Sequence, residues 1–171
     1  MNKNGFVLAE AIVVSIFVIG MVAYIAVNML PLIAKYEKTA NYDDLQGVYL
    51  VNDLYDDIKV RNVTPAVGIY KFSRKNVSAS SIGDDVNCSK VDGGNGAFCD
   101  EVGFKTFIYK YLNIDEIVVG NVTDKSKLSR SMREYYNYYV SNYKPKGTTT
   151  LNPNEMLVRF QDNTFANITM K

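Results

Sequence analysis

Glu10 is the residue whose chemistry most needs a partner, because its carboxylate directly precedes a long uncharged run. Residues 11–34 carry no charged side chain. An ionised carboxylate inside a membrane costs about 3 kcal/mol or more, so such a residue usually pairs with a cation. By position alone two interpretations stay open: Glu10 lies at the lipid headgroups and ends a membrane span, or it has a specific cationic partner.

The two cysteines, Cys88 and Cys99, are the other reactive groups in the chain. Their spacing is too wide for a redox Cys-x-x-Cys motif, and the chain has no histidine to act as a base. In an extracytoplasmic domain a disulfide is permitted and would stabilise the fold by about 3 kcal/mol, and free thiols stay the alternative. Residues 92–96, rich in Asp and Gly, lack the ligand ladder and terminal Glu of an EF-hand, so we expect no metal.

Composition and motifs argue against several function classes. Lys and Arg total 19 and Asp and Glu total 18, without a basic run, so the chain lacks the electrostatic signature of a nucleic-acid-binding protein. Without histidine it has no usual zinc site or His-dependent triad. No P-loop, nucleophile elbow or dinucleotide fingerprint occurs. Adjacent carboxylates such as Asp56 with Asp57, or Asp84 with Asp85, are typical of a solvated surface. We therefore expect neither an enzyme nor a cofactor.

The uncharged run is long enough to cross a membrane. As an α-helix, residues 11–34 extend about 36 Å, against about 30 Å for the hydrocarbon core of a bilayer. The run exceeds the roughly 7–15 apolar residues of a cleaved signal peptide, and no small-x-small cleavage motif closes it. Lys3 and the free amino group favour a cytoplasmic N-terminus, which Lys35 and Lys38 on the far side oppose. We expect a single-pass protein with its C-terminal domain outside.

The residues in front of this run carry a family resemblance. Gly5 and Phe6 are followed by three apolar residues, then Glu10, then the apolar run. This order resembles the N-terminus of type IV prepilins and of type II secretion or competence pseudopilins. The resemblance implies that residues 1–5 are a leader removed after Gly5 by a prepilin peptidase. It also implies methylation of the new Phe6 amine and a role for Glu10 in setting the register of filament subunits.

Elementary chemistry fits these implied roles. A glycine at position 5 lets the backbone enter a protease site without a side-chain clash. Cleavage after it would leave an ammonium on Phe6, and this cation on a neighbouring subunit could neutralise Glu10. Such a pair would fix the axial stagger of one helix against the next.

The resemblance also implies a domain plan and partners. Residues 6–34 would form the transmembrane and assembly helix, and residues 35–171 an extracytoplasmic pilin-like domain. The protein would lie in the bacterial cytoplasmic membrane and then enter a cell-surface filament. The implied partners are the prepilin peptidase, other pilin or pseudopilin subunits, a membrane platform protein and an assembly ATPase. Val7, Ala11 and the late Pro31 depart from the common pattern, which leaves open whether the chain is a major pilin, a minor pilin or a pseudopilin.

Helical periodicity continues beyond the apolar run. Apolar residues recur at spacings of three, four and seven residues as far as Ile58, which predicts one long helix over about residues 6–60. Pro31 should interrupt its hydrogen-bond ladder, and with Gly20 it brackets the stretch most easily bent. A functional bend and a proline kink without consequence are equally compatible with the sequence.

Beyond Arg61 the pattern predicts a small outer domain. Strands are predicted at Gly68–Ser73 and Ile114–Val119, and a loop at Ser78–Gly96. Met156–Phe160 and Thr164–Met170 flank a turn, which predicts a terminal hairpin.

Two short helices are predicted in the same domain. Apolar residues keep helical spacing over Phe104–Leu112 and over Met132–Tyr143, and Ser131 with Glu134 has the spacing of a capping box for the second helix. The tyrosines of that helix are more typical of packing against the domain than of a sugar-binding platform.

Together these features predict an α+β, pilin-like fold: a long N-terminal helix, part transmembrane and part outer, packed on a small antiparallel sheet with one or two short extra helices. The favoured function is a structural subunit of a type IV pilus-like or pseudopilus filament, as a minor pilin or a pseudopilin. Two alternatives stay open. One is a signal-anchored extracytoplasmic binding or sensing domain outside any filament, and the other is a membrane-tethered enzyme with an unrecognised site.

Overall fold

The computed structural model describes residues 3–30, 45–75, 85–92 and 96–170. The chain divides into two compact units, the first Met1–Ala40 and the second Asn41–Lys171, which we also call the outer unit; each is described by itself. The fold class is α+β, because an apolar helix forms the first unit and a five-stranded antiparallel sheet with several helices forms the second. The domain boundary expected at residues 34 and 35 lies outside the described residues.

The first unit is one helical segment. Helix α1 spans Lys3–Tyr24 and continues directly into a π-helical segment, Ile25–Met29. The long helix predicted over residues 6–60 is described at its two ends only, since residues 31–44 lie outside the described part of the chain.

The second unit alternates strands with short helices. It begins with α2, Leu45–Val60, whose end agrees with the predicted end of the long helix. The other helices are α3, Val102–Thr106, continued by a π-helical segment, Phe107–Tyr111; a 3₁₀ turn, Lys125–Lys127; and α4, Arg130–Tyr143. The strands are β1, Gly68–Arg74; β2, Val86–Lys90; β3, Ile114–Val119; β4, Glu155–Phe160; and β5, Phe165–Thr169.

The five strands form one antiparallel sheet in the order β2-β1-β3-β4-β5. The central strand β3 pairs with β1 on one side and with β4 on the other. Strands β4 and β5 form the predicted terminal hairpin, in which Asp162 Oδ1 accepts the Thr164 N–H at 2.9 Å. Asn163 in this turn has a φ of 64°, a left-handed conformation that asparagine tolerates better than most residues.

Both faces of the sheet are buried. Successive strand residues point to opposite faces, so Ile117 and Val158 pack with α2 and α3 while Val118 and Leu157 pack with α4. Burial on both sides explains why the stretches 117–119 of β3 and 156–158 of β4 are continuously apolar instead of alternating.

Helix α2 covers one face through residues spaced by three and four. Val51, Leu54 and Ile58 are each at most 5% exposed and belong to the same apolar cluster as the sheet residues below them. Gly47 on this helix permits a close approach, because a Cβ there would lie 3.0 Å from Cε2 of Phe160.

Helix α4 covers the other face with its tyrosines. Tyr135, Tyr136 and Tyr139 are buried, and the Tyr135 ring stacks on Phe165 with 4.6 Å between centroids. The Tyr136 hydroxyl accepts the Leu151 N–H at 3.2 Å, which satisfies its polar end inside the core. This burial confirms that these three tyrosines pack the helix onto its domain, whereas Tyr143, expected on the same face, is 54% exposed.

Two local predictions are wrong. Strand β2 lies within the predicted loop Ser78–Gly96; it escaped detection because it is a short, mostly polar edge strand with only Val86 fully buried. The predicted capping box of α4 is also displaced: Ser129 is the N-cap, and its Oγ accepts the Met132 N–H at 3.2 Å. Ser131 instead bonds Arg159, and Glu134 pairs with Arg130.

Replacing Leu54 by alanine should destabilise the outer unit by about 2–5 kcal/mol, because the change leaves a cavity between α2 and the sheet. The matched control is Val60→Ala on the same helix, where the side chain is 84% exposed and the cost should stay below about 0.5 kcal/mol. Denaturant unfolding of the full-length protein in detergent, followed by tyrosine circular dichroism, measures both. Equal losses from the two variants would contradict the packing described for α2.

Candidate functional site

The predicted processing and assembly residues lie on α1. Gly5, Phe6 and Glu10 all fall within Lys3–Tyr24, and the side chain of Glu10 is exposed. Among the described residues of this unit, none provides Glu10 with a cationic partner. The carboxylate is thus exposed on a helix that becomes apolar directly beyond it.

The helix beyond Glu10 carries the apolar surface that such a site requires. Residues Ile12–Met29 have a mean hydropathy of 2.4, and none of them is buried by the described part of the chain. By length and composition this helix can cross a membrane. Its large aliphatic and aromatic side chains, such as Phe17 at 69% and Val27 at 72% exposure, need lipid or other helices to keep them out of water.

The end of the described helix departs from α geometry. Gly20 lies inside continuous α-helix, and the π-helical segment Ile25–Met29 begins five residues later. The wider turn is closed by the Leu30 N–H, which donates to the Ile25 carbonyl, and Asn28 Nδ2 donates to the Tyr24 carbonyl at 3.2 Å. Pro31, the other predicted bend residue, follows immediately in sequence and lies outside the described residues. The irregular segment thus falls between Gly20 and Pro31.

In the outer unit Cys88 and Cys99 form a disulfide, with 5.2 Å between their Cα atoms. The bridge ties edge strand β2 to the segment that precedes α3. Next to it Phe98 is fully buried and meets Tyr70 edge-on, with 4.8 Å between ring centroids. A Cβ at Gly96 would overlap the Tyr70 ring, so the segment can pass this close only as glycine.

Tyr70, beside the disulfide segment, is a buried polar residue whose hydroxyl is hydrogen-bonded. Its ring is fully buried, and its hydroxyl donates to the Ala66 carbonyl at 2.8 Å. Burial, assisted by the negative charge of Asp92, raises the pKa of Tyr70 to about 12. The phenol is therefore held neutral over the physiological range and serves the packing of the disulfide segment.

Of the residues considered for calcium, Asp92 makes a structural hydrogen bond. Asp92 Oδ1 accepts the Ile69 N–H at 3.2 Å, which extends the hydrogen bonding of β1 beyond β2. Gly93, Gly94 and Asn95 lie outside the described residues. In the described part of the chain no group of three or more Cys, Asp or Glu side chains is placed to hold a metal ion.

An ion cluster lies between the sheet and the start of α4. The pairing of β3 with β4 shifts register between Ile114 and Glu116, so Asp115 is an extra residue and two acidic side chains surround Arg159. The Arg159 guanidinium donates to both carboxylate oxygens of Asp115 at 2.7 Å each. Burial raises the pKa of Asp115 in spite of this bidentate pair.

The same cluster fixes the N-terminus of α4. Arg159 Nη1 donates to the hydroxyls of Ser129 and Ser131 at 2.8 and 2.9 Å, and Glu116 Oε1 accepts the Ser129 N–H at 3.1 Å. Lys71 Nζ lies 4.0 Å from Glu116, so two cations balance two carboxylates. Glu116 Oε2, which is buried and accepts no hydrogen bond from the described residues, lies 3.7 Å from Arg159 Nη2. The cluster thus positions α4 through hydrogen bonds and ion pairs centred on Arg159.

A second buried pair closes the other end of α4. Lys144, the residue that follows the helix, bonds the Glu155 carboxylate, and both side chains are less than 10% exposed. The second carboxylate oxygen of Glu155 accepts the Asn152 N–H at 2.7 Å. Neither buried ion cluster was predicted from the sequence, although the Asp115 and Glu116 dipeptide inside an apolar strand was a usable signal.

Comparison with protein-family models, curated proteins and solved structures finds no match to this chain.

Removing the disulfide tests its part in the outer unit. Cys88→Ser combined with Cys99→Ser should lower the free energy of unfolding by about 3 kcal/mol, because the unfolded chain regains the freedom of the closed loop. Denaturant unfolding of the full-length protein in detergent measures the loss, and reduced wild-type protein is the control. A variant with the wild-type midpoint would show that the bridge contributes nothing.

Alkaline pH tests the burial of Tyr70. Its pKa is about 12 in the folded chain and 10.0 when unperturbed, so the unfolded chain loses the proton first as pH rises. The stabilisation present below pH 10 should thus be lost between about pH 10 and 12, by about 2–3 kcal/mol. Tyr70→Phe should reduce the loss of unfolding free energy over this alkaline range. Tyr143→Phe, at an exposed position, should not. An equal alkaline loss of stability in the wild type and in Tyr70→Phe would contradict the raised pKa of Tyr70.

Proposed function

We propose that the chain is a structural subunit of a type IV pilus-like or pseudopilus filament, a minor pilin or a pseudopilin. The observation that carries the proposal is the sequence Gly5-Phe6-x-x-x-Glu10 at the start of an apolar helix that the described chain leaves uncovered. Before assembly such a helix lies in the lipid bilayer, and after assembly it packs against the helices of other subunits.

The assembly step follows from the charge at Glu10. Trimming after Gly5 creates an ammonium on Phe6, four residues before the carboxylate in the same helix. When helices pack side by side, the Phe6 amine of one subunit neutralises Glu10 of the next, which removes the cost of an unpaired charge in an apolar bundle. Only one axial offset between neighbours satisfies this pair, so the pair selects the register.

The outer unit supports the same role. Its sheet is covered by helices on both faces, and its buried charges are engaged in internal pairs. This is the construction of a rigid body carried by a helix. The peptidase, the platform protein, the assembly ATPase and the other filament subunits are the partners that this proposal entails.

Changing Glu10 to alanine should reduce the amount of the chain in sheared surface filaments at least tenfold while its amount in the membrane stays unchanged. The loss follows because the subunit no longer offers a counter-charge to the incoming ammonium. Asp100→Ala, which removes a carboxylate from the outer unit, is the control and should assemble normally.

Quantitative immunoblots of filament and membrane fractions provide the measurement. Wild-type filament levels in the Glu10→Ala variant would refute the register role. A signal-anchored binding domain would give a different pattern, with Met1 retained and no filament fraction for wild type or variant.

A further inference from the structure

A groove runs along the outer unit between α2 and the π-helical segment Phe107–Tyr111. Its volume is about 450 Å³. The groove has one acidic wall and one aromatic wall. Its principal lining residues are Asp53, Asp56, Asp57, Val60, Phe107 and Tyr111.

The acidic wall carries more carboxylates than the described cations neutralise. Asp57 is engaged by Arg61, whose Nε lies 2.7 Å from its carboxylate. Asp53 and Asp56, one turn apart on the exposed side of α2, have no ion-pair partner within the described part of the chain. Two neighbouring carboxylates without a cation favour the approach of a positive group.

The aromatic wall is suited to the same kind of group. Phe107 and Tyr111 stack with 6.2 Å between ring centroids, and Tyr111 is 71% exposed. A guanidinium or ammonium that lies over an aromatic face and beside a carboxylate gains from both contacts, and arginine makes this arrangement best. The exposed aliphatic Val60 extends the apolar rim of the groove.

The same unit carries a complementary surface on the opposite side of the sheet. We call it the basic edge and define it by Lys127 and Arg130, at the start of α4. The Arg130 side chain is 95% exposed and pairs only loosely with Glu134, at 3.5 Å. An exposed pair of this kind contributes little and exchanges readily for a better partner.

We propose that the groove receives the basic edge of a second copy of this chain, with Arg130 over Tyr111 and beside Asp56. This inference rests on the proposed function, because the filament is where two copies become neighbours. The contact joins two different surfaces of the same domain, because α2 and α4 cover opposite faces of the sheet. A contact between unlike surfaces leaves one of each surface free at every step, so it adds further copies, in an open chain or a ring, instead of stopping at a dimer.

Charge reversal tests the contact in the full-length protein. Asp56→Lys and Arg130→Glu should each lower the filament fraction at least tenfold, because each places like charges across the interface. The two changes together in one chain should restore it to within about twofold of wild type. Asp100→Lys, an equal charge change outside the groove, is the control and should leave assembly unchanged.

A zero-length carbodiimide cross-link gives a second readout that needs no filament. In membranes that contain the wild-type protein, we expect a peptide that joins Asp53 or Asp56 of one copy to Lys127 of another. The two sites lie on opposite faces of one domain, so such a product reports contact between copies. Its absence, or failure of the double reversal to rescue assembly, overturns the docking proposal.

The two readouts separate this inference from the proposed function. Normal trimming and filaments without the cross-link, with both single reversals neutral, would reject the docking surface and leave the filament role intact. The cross-link in a chain that keeps Met1 and forms no filaments would reject the filament role and support the docking surface.

Discussion

One constraint governs this protein: the apolar side chains of α1 beyond Glu10 must be kept out of water, and the described chain does not cover them. Each large side chain left in water costs about 1.5–3 kcal/mol relative to burial, and the exposed stretch covers Ile12–Met29. A bilayer or a bundle of helices satisfies this demand. Glu10 matters for assembly only in that environment, because an ionised carboxylate is well solvated in water but has a high free-energy cost among apolar helices unless it is paired.

The outer unit meets its own packing demands internally. Its sheet is sandwiched between α2 with α3 on one face and α4 on the other, and the disulfide ties the edge strand β2 to the segment that precedes α3. The clusters around Arg159 and Lys144 fasten the two ends of α4. The acidic groove and the basic edge are therefore exposed surfaces on a domain whose packing is determined by other residues.

Sequence patterns predicted the elements whose signals are local. Strand β3 and the terminal hairpin are runs of β-formers bounded by turn residues, and α2 and α4 have clear helical spacing. Strand β2 was missed because its pairing with β1, and not its own composition, makes it a strand. The cap at Ser129 was misplaced by two residues because Ser131 is recruited by Arg159, which lies far away in the sequence. The groove could not be predicted, since it forms only when residues near 53 and near 111 come together.

The most direct test of the central claim is the intact mass and the N-terminal peptide of the protein isolated from native membranes or from sheared surface material. The account predicts that Met1–Gly5 is absent and that Phe6 carries one added methyl group on its amine. An intact, unmethylated Met1 in cells whose prepilin peptidase is active would contradict the account and leave a signal-anchored domain.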